Sequence, residues 1–206
     1  MYKLCKTEQS TLRQKEIEGA LLSLMKQKSF DNITVTELSD KLKMPRKAFY
    51  RYFDSKEDAL NALIDHTLSE YGGLTINRSG DTNRSLLLEI EEYFKFWIEK
   101  KELLYVLDKS EIMGTFIDRT VNFPVDERIE MAKFIPDEDK DTRGHIFKFA
   151  FAGLTYIMIE WYRSGFKTPT RDMARLAVRT FCQPLFPVLS DFNLGITEAR
   201  LIKDGR

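Results

Sequence analysis

Apolar residues recur at helical spacing along most of this chain. Ile17, Leu21, Leu24 and Met25, with Ala20 beside them, predict a helix from about Glu8 to Lys28. Ser29-Phe30-Asp31-Asn32 interrupts it. Thr34-Val35-Thr36-Glu37 then fits a capping box, in which a threonine N-cap and a glutamate three residues on satisfy each other's orphan amides. The helix that follows carries Val35, Leu38 and Leu42 inward and stops before Lys43-Met44-Pro45, because proline disfavours helical geometry in the residue before it. Proline suits the start of a helix, so a second short helix runs from about Pro45 to Tyr52. Asp54-Ser55 offers N-caps for a third, with Glu57 or Asp58 at N3. It carries Ala59, Leu60, Leu63, Ile64 and Leu68 and is expected to end near Gly72-Gly73.

Leu74 to Asn83 reads as a polar connector and divides the chain into residues 1–72 and 73–206. Helical patterns resume over Leu86 to Glu99 and Leu103 to about Ile117, the latter with a break expected at Gly114. Phe123 to Asp141 is irregular. A long helix follows from about Thr142 to Ser164, with Gly165 as its C-terminal stop, and a last one starts near Thr170 and is ended by Pro184 and Pro187. A polar tail from Asn193 closes the pattern, and no stretch alternates as a strand does. The expectation is an all-α chain: a three-helix N-terminal domain holding a helix-turn-helix, and a larger helical C-terminal domain for ligand binding and dimerisation.

Charge sharpens this picture. Lys+Arg and Asp+Glu are 32 each, so the net charge is zero. That excludes a generally polycationic nucleic-acid coat but leaves a local patch open. Between Lys41 and Lys56 lie six basic residues (Lys41, Lys43, Arg46, Lys47, Arg51, Lys56) against one acidic residue, Asp54. The excess falls on a short helix, a turn and a second short helix, which is the arrangement that seats a helix in the DNA major groove. Cys5 and Cys182 have neither metal-like nor framework spacing, the first residues lack an apolar signal core, and Ile146 to Ile159 is too short to span a membrane. These features point to the cytoplasm. His66 and His145 lack ligand-spaced partners, and no phosphate loop or nucleophile elbow occurs. Neither an enzyme nor a cofactor or metal is therefore expected.

Thr34-Val35-Thr36-Glu37-Leu38-Ser39, followed by Met44 through Leu60, resembles the N-terminal domain of the TetR family of transcriptional regulators, in its TetR/AcrR-like form. The spacing of Tyr50, Phe53 and Lys56 is the most specific part. The resemblance implies an all-helical two-domain subunit, a homodimer, a double-stranded DNA operator and an effector site in the C-terminal domain. Thr34 and Thr36 then stand at the first motif helix, where cap and backbone approach phosphate. Pro45 opens the recognition helix, and Arg46 or Lys47 donates to guanine. Tyr50, Arg51 and Lys56 are expected to reach phosphates. Two positions depart from the family. Lys43 stands in the turn where glycine is usual, and Ser29 where glycine often ends the first helix. A left-handed non-glycine residue costs roughly 1–2 kcal/mol.

Fifteen of the 25 aromatic residues fall between Tyr93 and Phe166. Most belong to a core. Trp97, Tyr105, Phe116, Phe147, Phe151, Met158 and Trp161 are the candidates for an apolar cavity that takes an uncharged or amphipathic effector. Ile146–Ile159 is apolar nearly all round, which predicts burial against its own core and against a partner, so a homodimer through the last two long helices is expected. Phe149 to Ala174 also resembles a TetR subgroup that includes dihydroxyacetone-kinase-operon regulators. The reading is a repressor released by a small apolar or amphipathic ligand. Its rivals are a regulator of the same build controlled by a partner protein, and an enzyme using the aromatic pocket.

Overall fold

A computed structural model describes residues 7–77, 85–124 and 140–182. Among the described residues there are nine α-helices and no strand: α1 (Glu8–Gln27), α2 (Val35–Lys41), α3 (Arg46–Phe49), α4 (Lys56–Asn77), α5 (Leu86–Glu99), α6 (Lys101–Lys109), α7 (Met113–Val121), α8 (Lys140–Arg163) and α9 (Thr170–Cys182). A 3-10 turn at Phe30–Asn32 joins α1 to α2. The Pro184, Pro187 and tail expectations lie outside the described residues, as does the connector beyond Asn77 and the chain from residue 125 to 139.

The ends of these helices are set by local chemistry. Thr7 and Ser10 exchange hydrogen bonds at the start of α1. Thr34 accepts from the Glu37 amide at 3.2 Å while Glu37 accepts from the Thr34 amide at 2.9 Å, which is the capping box the sequence predicts. Ser55 rather than Asp54 caps α4, accepting from the Asp58 amide at 3.2 Å. Gly165 ends α8 at φ +77°, with Gly165 N–H on Tyr162 O at 2.8 Å and Phe166 N–H on Trp161 O at 3.0 Å. This pair of bonds is a Schellman motif, and the Phe166 and Trp161 rings close it at 4.7 Å.

Three expectations of the helical pattern are corrected. α4 runs through Gly72 and Gly73 to Asn77. Each glycine costs a helix only about 1 kcal/mol, and the burial of Leu68 and Tyr71 outweighs it: Tyr71 packs on Tyr93 at 5.6 Å and Phe96 at 5.3 Å. The break between α6 and α7 falls at Glu111, φ 59°, and Gly114 lies inside α7. Ile112 N–H bonds Leu107 O and Glu111 N–H bonds Asp108 O, both at 3.0 Å, so α6 ends in a Schellman motif whose left-handed residue is a glutamate. Ser29 is extended, φ −60° and ψ 146°, and carries no left-handed strain.

One apolar core runs through the described chain. In the N-terminal part it is built from Ile17, Leu21 and Met25 of α1, Leu38 of α2, Phe49 of α3 and Phe53 after it. In the C-terminal part, α5 is the hub: it packs along α9 through Met173, Ala174 and Ala177, and Arg171 reaches Glu91 at 2.6 Å. That guanidinium holds the Glu91 carboxyl below the usual carboxylate range. α6 joins the two parts. Its Lys109 ammonium donates to Lys26 O at 2.9 Å, Glu102 pairs with Lys26 at 2.6 Å, and the buried Ser110 hydroxyl accepts the Phe30 amide at 3.1 Å.

Candidate nucleic-acid interface

α2 and α3 pack against each other across the turn Leu42–Pro45. Lys43 sits in this turn at φ 51°, where the sequence anticipates glycine. Lys43 N–H bonds Asp40 O at 3.0 Å and Met44 N–H bonds Ser39 O at 2.9 Å, and the buried Met44 side chain completes a Schellman motif. The turn thus keeps the ordinary shape, and the lysine bears its cost. Pro45 is the extended N-cap of α3, which is shorter than the sequence suggests. After Phe49 the bonds tighten: Arg51 N–H reaches Ala48 O and Tyr52 N–H reaches Phe49 O. Phe49 and Phe53 are fully buried with ring centroids 5.8 Å apart, which pins α3 to the core.

With the inner face so anchored, the outer face is basic. Pro45, Arg46, Lys47 and Arg51 are exposed, and so are Thr34 and Thr36 at the start of α2. Among the described residues no carboxylate pairs with Arg46, Lys47 or Arg51. Tyr50 is 40% exposed and meets Phe49 edge-on at 5.5 Å. The Thr34 hydroxyl is engaged with Glu37, whose other partner is Lys28. Lys28 first, and the Thr34 amide second, hold the Glu37 carboxyl below its usual range.

Lys56 is placed differently from the rest of the basic set. Its ammonium donates to Phe30 O and Asp31 O, both at 2.9 Å, and lies 4.7 Å from the centre of the Phe30 ring. Two of its three protons therefore fasten the 3-10 turn to the start of α4. Sequence spacing alone could not find this contact, because its partners lie 25 and 26 residues away. His66 also has a role not visible in the sequence. Its Nδ1 meets the buried Glu18 carboxylate at 2.9 Å, which joins α4 to α1 and raises the imidazole pKa.

The seven aromatic-pocket candidates do not share one cavity. Phe147 and Phe151 stack at 5.9 Å and line a cavity of about 320 Å³ between the end of α7 and the start of α8. Trp97, Phe116, Met158 and Trp161 are buried core: Trp97 meets Phe116 at 5.0 Å, and Trp161 Nε1–H donates to Thr168 O at 2.8 Å. Tyr105 is 50% exposed and lies on a separate shallow surface with Tyr162 and Phe166. Among the described residues no group of acidic, histidine and cysteine side chains could hold a metal, and no helix is long and apolar enough to cross a membrane.

Residues 19–63, which contain the capped helix, the turn and α3, match the family model of bacterial regulatory proteins, tetR family. No curated protein matches the chain. Among solved structures the fold is similar to that of the fatty acid degradation regulator FadR from Bacillus halodurans, with TM-score 0.54 and 13% identity over 86% of this chain and 96% of that one. A tetR-family transcriptional regulator from Streptomyces coelicolor is similar at TM-score 0.53 and 16% identity, over 82% of this chain and 80% of its own. The dihydroxyacetone kinase operon activator DhaS follows at 0.50 and 18%, over 81% and 92%. At these identities the likeness to solved structures is one of fold. Family and fold are those of regulators rather than enzymes, and by its N-terminal domain the chain belongs to the TetR family of DNA-binding transcriptional regulators.

Proposed function

We propose that this protein is a homodimeric repressor that binds a palindromic operator through residues 1–72 and is released when residues 73–206 take up a small effector. The observation that carries the DNA half of this reading is the exposed set Arg46, Lys47, Tyr50 and Arg51 on a short helix whose opposite face is buried. Arg46 and Lys47, in the first turn, are placed to donate to guanine in the major groove. Tyr50, Arg51 and the start of α2 at Thr34 and Thr36 flank them as phosphate contacts, with Pro45 fixing where α3 begins. Lys56 supports the set chiefly by holding the Phe30–Asn32 turn.

One face of α8 supports the dimer. Phe149 is 67% and Tyr156 55% exposed, seven residues apart and so on one side of the helix, and Leu176 of α9 is 39% exposed. Large aromatic side chains in a row on a helix surface are what a two-fold helical interface covers. Two copies double a basic surface that is small in one. An effector that changes the spacing of the two α3 helices then weakens operator binding.

Selection of bound sequences from random duplex DNA by the purified protein, followed by a salt titration, tests this reading. A palindromic site with steeply salt-dependent affinity is expected. Binding without sequence preference, or a monomer at micromolar concentration by sedimentation, would overturn it.

A further inference from the structure

Three polar atoms in the core of the C-terminal helices have no hydrogen-bond partner among the described residues: the Tyr93 hydroxyl, Trp97 Nε1–H and Thr155 Oγ1. Their side chains are almost wholly buried. The Thr155 hydroxyl and the Trp97 N–H approach the Tyr93 phenol and favour its ionised form, but burial has the larger effect and pushes its pKa up. Neither completes a hydrogen bond with it. Interiors seldom leave such groups unpaired, and three together mark a place where a further molecule belongs.

The same helix faces lead outward to the 320 Å³ cavity. On α8, Phe147 and Phe151 precede Thr155 at four-residue intervals, so the three share a face. On α7, Phe116 touches the Trp97 ring and precedes Thr120, which lines the cavity, by four residues. The cavity wall is completed by Val121, Phe123 and Pro124. Its charged residues, Arg143 and Lys148, are both cations, and no described residue lining it carries a carboxylate.

The geometry points to an amphipathic organic anion as the ligand of this cavity. Its carboxylate would lie against Arg143 and Lys148, its apolar body between the Phe147–Phe151 stack and Phe123, and an oxygen at its far end against Trp97, Tyr93 and Thr155. Trp97 can only donate, so the far atom must accept, and a hydroxyl meets all three partners. A volume of about 320 Å³ holds about ten non-hydrogen atoms at roughly 30 Å³ each. The seven residues from Lys148 to Thr155 rise about 10 Å along α8. A medium-length hydroxy acid fits both dimensions. This inference rests on the effector-controlled reading above.

The test titrates the full chain with 8-hydroxyoctanoate, octanoate and 1-octanol, by calorimetry and by fluorescence of a Trp161→Phe variant in which Trp97 is the remaining tryptophan. Each added polar contact is expected to tighten binding about tenfold, in the order octanol, octanoate, 8-hydroxyoctanoate. The Arg143→Gln/Lys148→Gln pair should erase the preference for octanoate over octanol, and 8-hydroxyoctanoate should shift the Trp97 emission. Equal affinity for octanol and octanoate, no gain from the terminal hydroxyl, or no binding at all would each overturn the proposal. Operator binding is measured on the same preparation. DNA binding with no probe binding defeats the ligand alone, whereas loss of sequence-selective DNA binding defeats the regulatory reading.

Discussion

The joint between α6 and the Phe30–Asn32 turn makes a demanding prediction for Ser110→Ala. The Ser110 hydroxyl accepts the Phe30 amide at 3.1 Å, and both residues are buried. Removing the hydroxyl leaves that N–H without a partner in a place water does not reach, at a cost of about 1–3 kcal/mol. The methyl group that remains fills almost the same space, so a cavity adds little. Against a total stability of about 5–15 kcal/mol this is a substantial fraction. At about 2–4 °C per kcal/mol for a chain of this size, it lowers the thermal midpoint by about 4–8 °C. Ser110→Thr keeps the acceptor and should recover most of the loss. Urea unfolding of the three proteins measures it. A Ser110→Ala variant within 0.5 kcal/mol of the parent, or a Ser110→Thr variant no better than alanine, would show that the Phe30 amide finds another partner, and the account of this joint would fail.

Lys43→Gly should raise stability by about 0.5–1 kcal/mol, since the relief of a left-handed lysine exceeds the added freedom of glycine in the unfolded chain. The same variant should reduce the salt slope of DNA binding if Lys43 meets phosphate, whereas Glu111→Gly should gain similar stability with no change in that slope. The raised pKa of His66 means that its pairing with Glu18 stabilises the fold fully below the unfolded value of about 6.5 and is lost as pH rises through the higher folded value. Urea midpoints of the parent should therefore decline above about pH 6.5 relative to His66→Gln, with nearby Lys15 and Asp65 unchanged; parallel curves would refute the link. Arg46→Ala or Lys47→Ala should cost about 1–3 kcal/mol at the selected operator and relax base preference there. Lys56→Ala should weaken binding to all sequences alike and also lower stability by about 1–2 kcal/mol, because it releases the Phe30 and Asp31 carbonyls; intact stability with weaker binding would restore Lys56 to the direct phosphate contacts.

What was readable in the sequence is what local chemistry decides. Thr34 and Glu37 cap each other within one turn, and Gly165 stops α8, so both ends could be placed from the residues alone. Gly72 and Gly73 misled because the helix they sit in is held by Tyr71 on Tyr93 and Phe96, contacts from another helix. Gly114 misled for the opposite reason: the left-handed residue that ends α6 is Glu111, and its conformation is fixed by bonds to Leu107 and Asp108 rather than by a permissive side chain. At the interface, Arg46, Lys47 and Arg51 were legible because exposure follows from their place opposite Phe49 and Phe53. Lys56 was not, since its carbonyl partners come from a distant turn. In the C-terminal domain the wealth of aromatic residues was visible, but only packing separates Phe147 and Phe151, which border open space, from Trp97 and Phe116, which fill it.

The unbroken course of α4 past its glycines has a mechanical consequence. At 1.5 Å per residue its 22 residues make a rod about 33 Å long. One end is tied by Lys56 to the turn before α2, and further along it Asp65 grips Arg119 of α7, with Arg119 Nε on Asp65 Oδ1 at 2.7 Å. A pivot of about 5° at one end of such a rod moves the other by about 3 Å. In a two-fold pair the displacement acts on both copies, and recognition helices meant for grooves one turn apart, about 34 Å, would miss their register by several ångströms. A small tilt generated among α7 and α8 thus needs no chain of rearranged side chains to be felt at the DNA; stiffness alone transmits it.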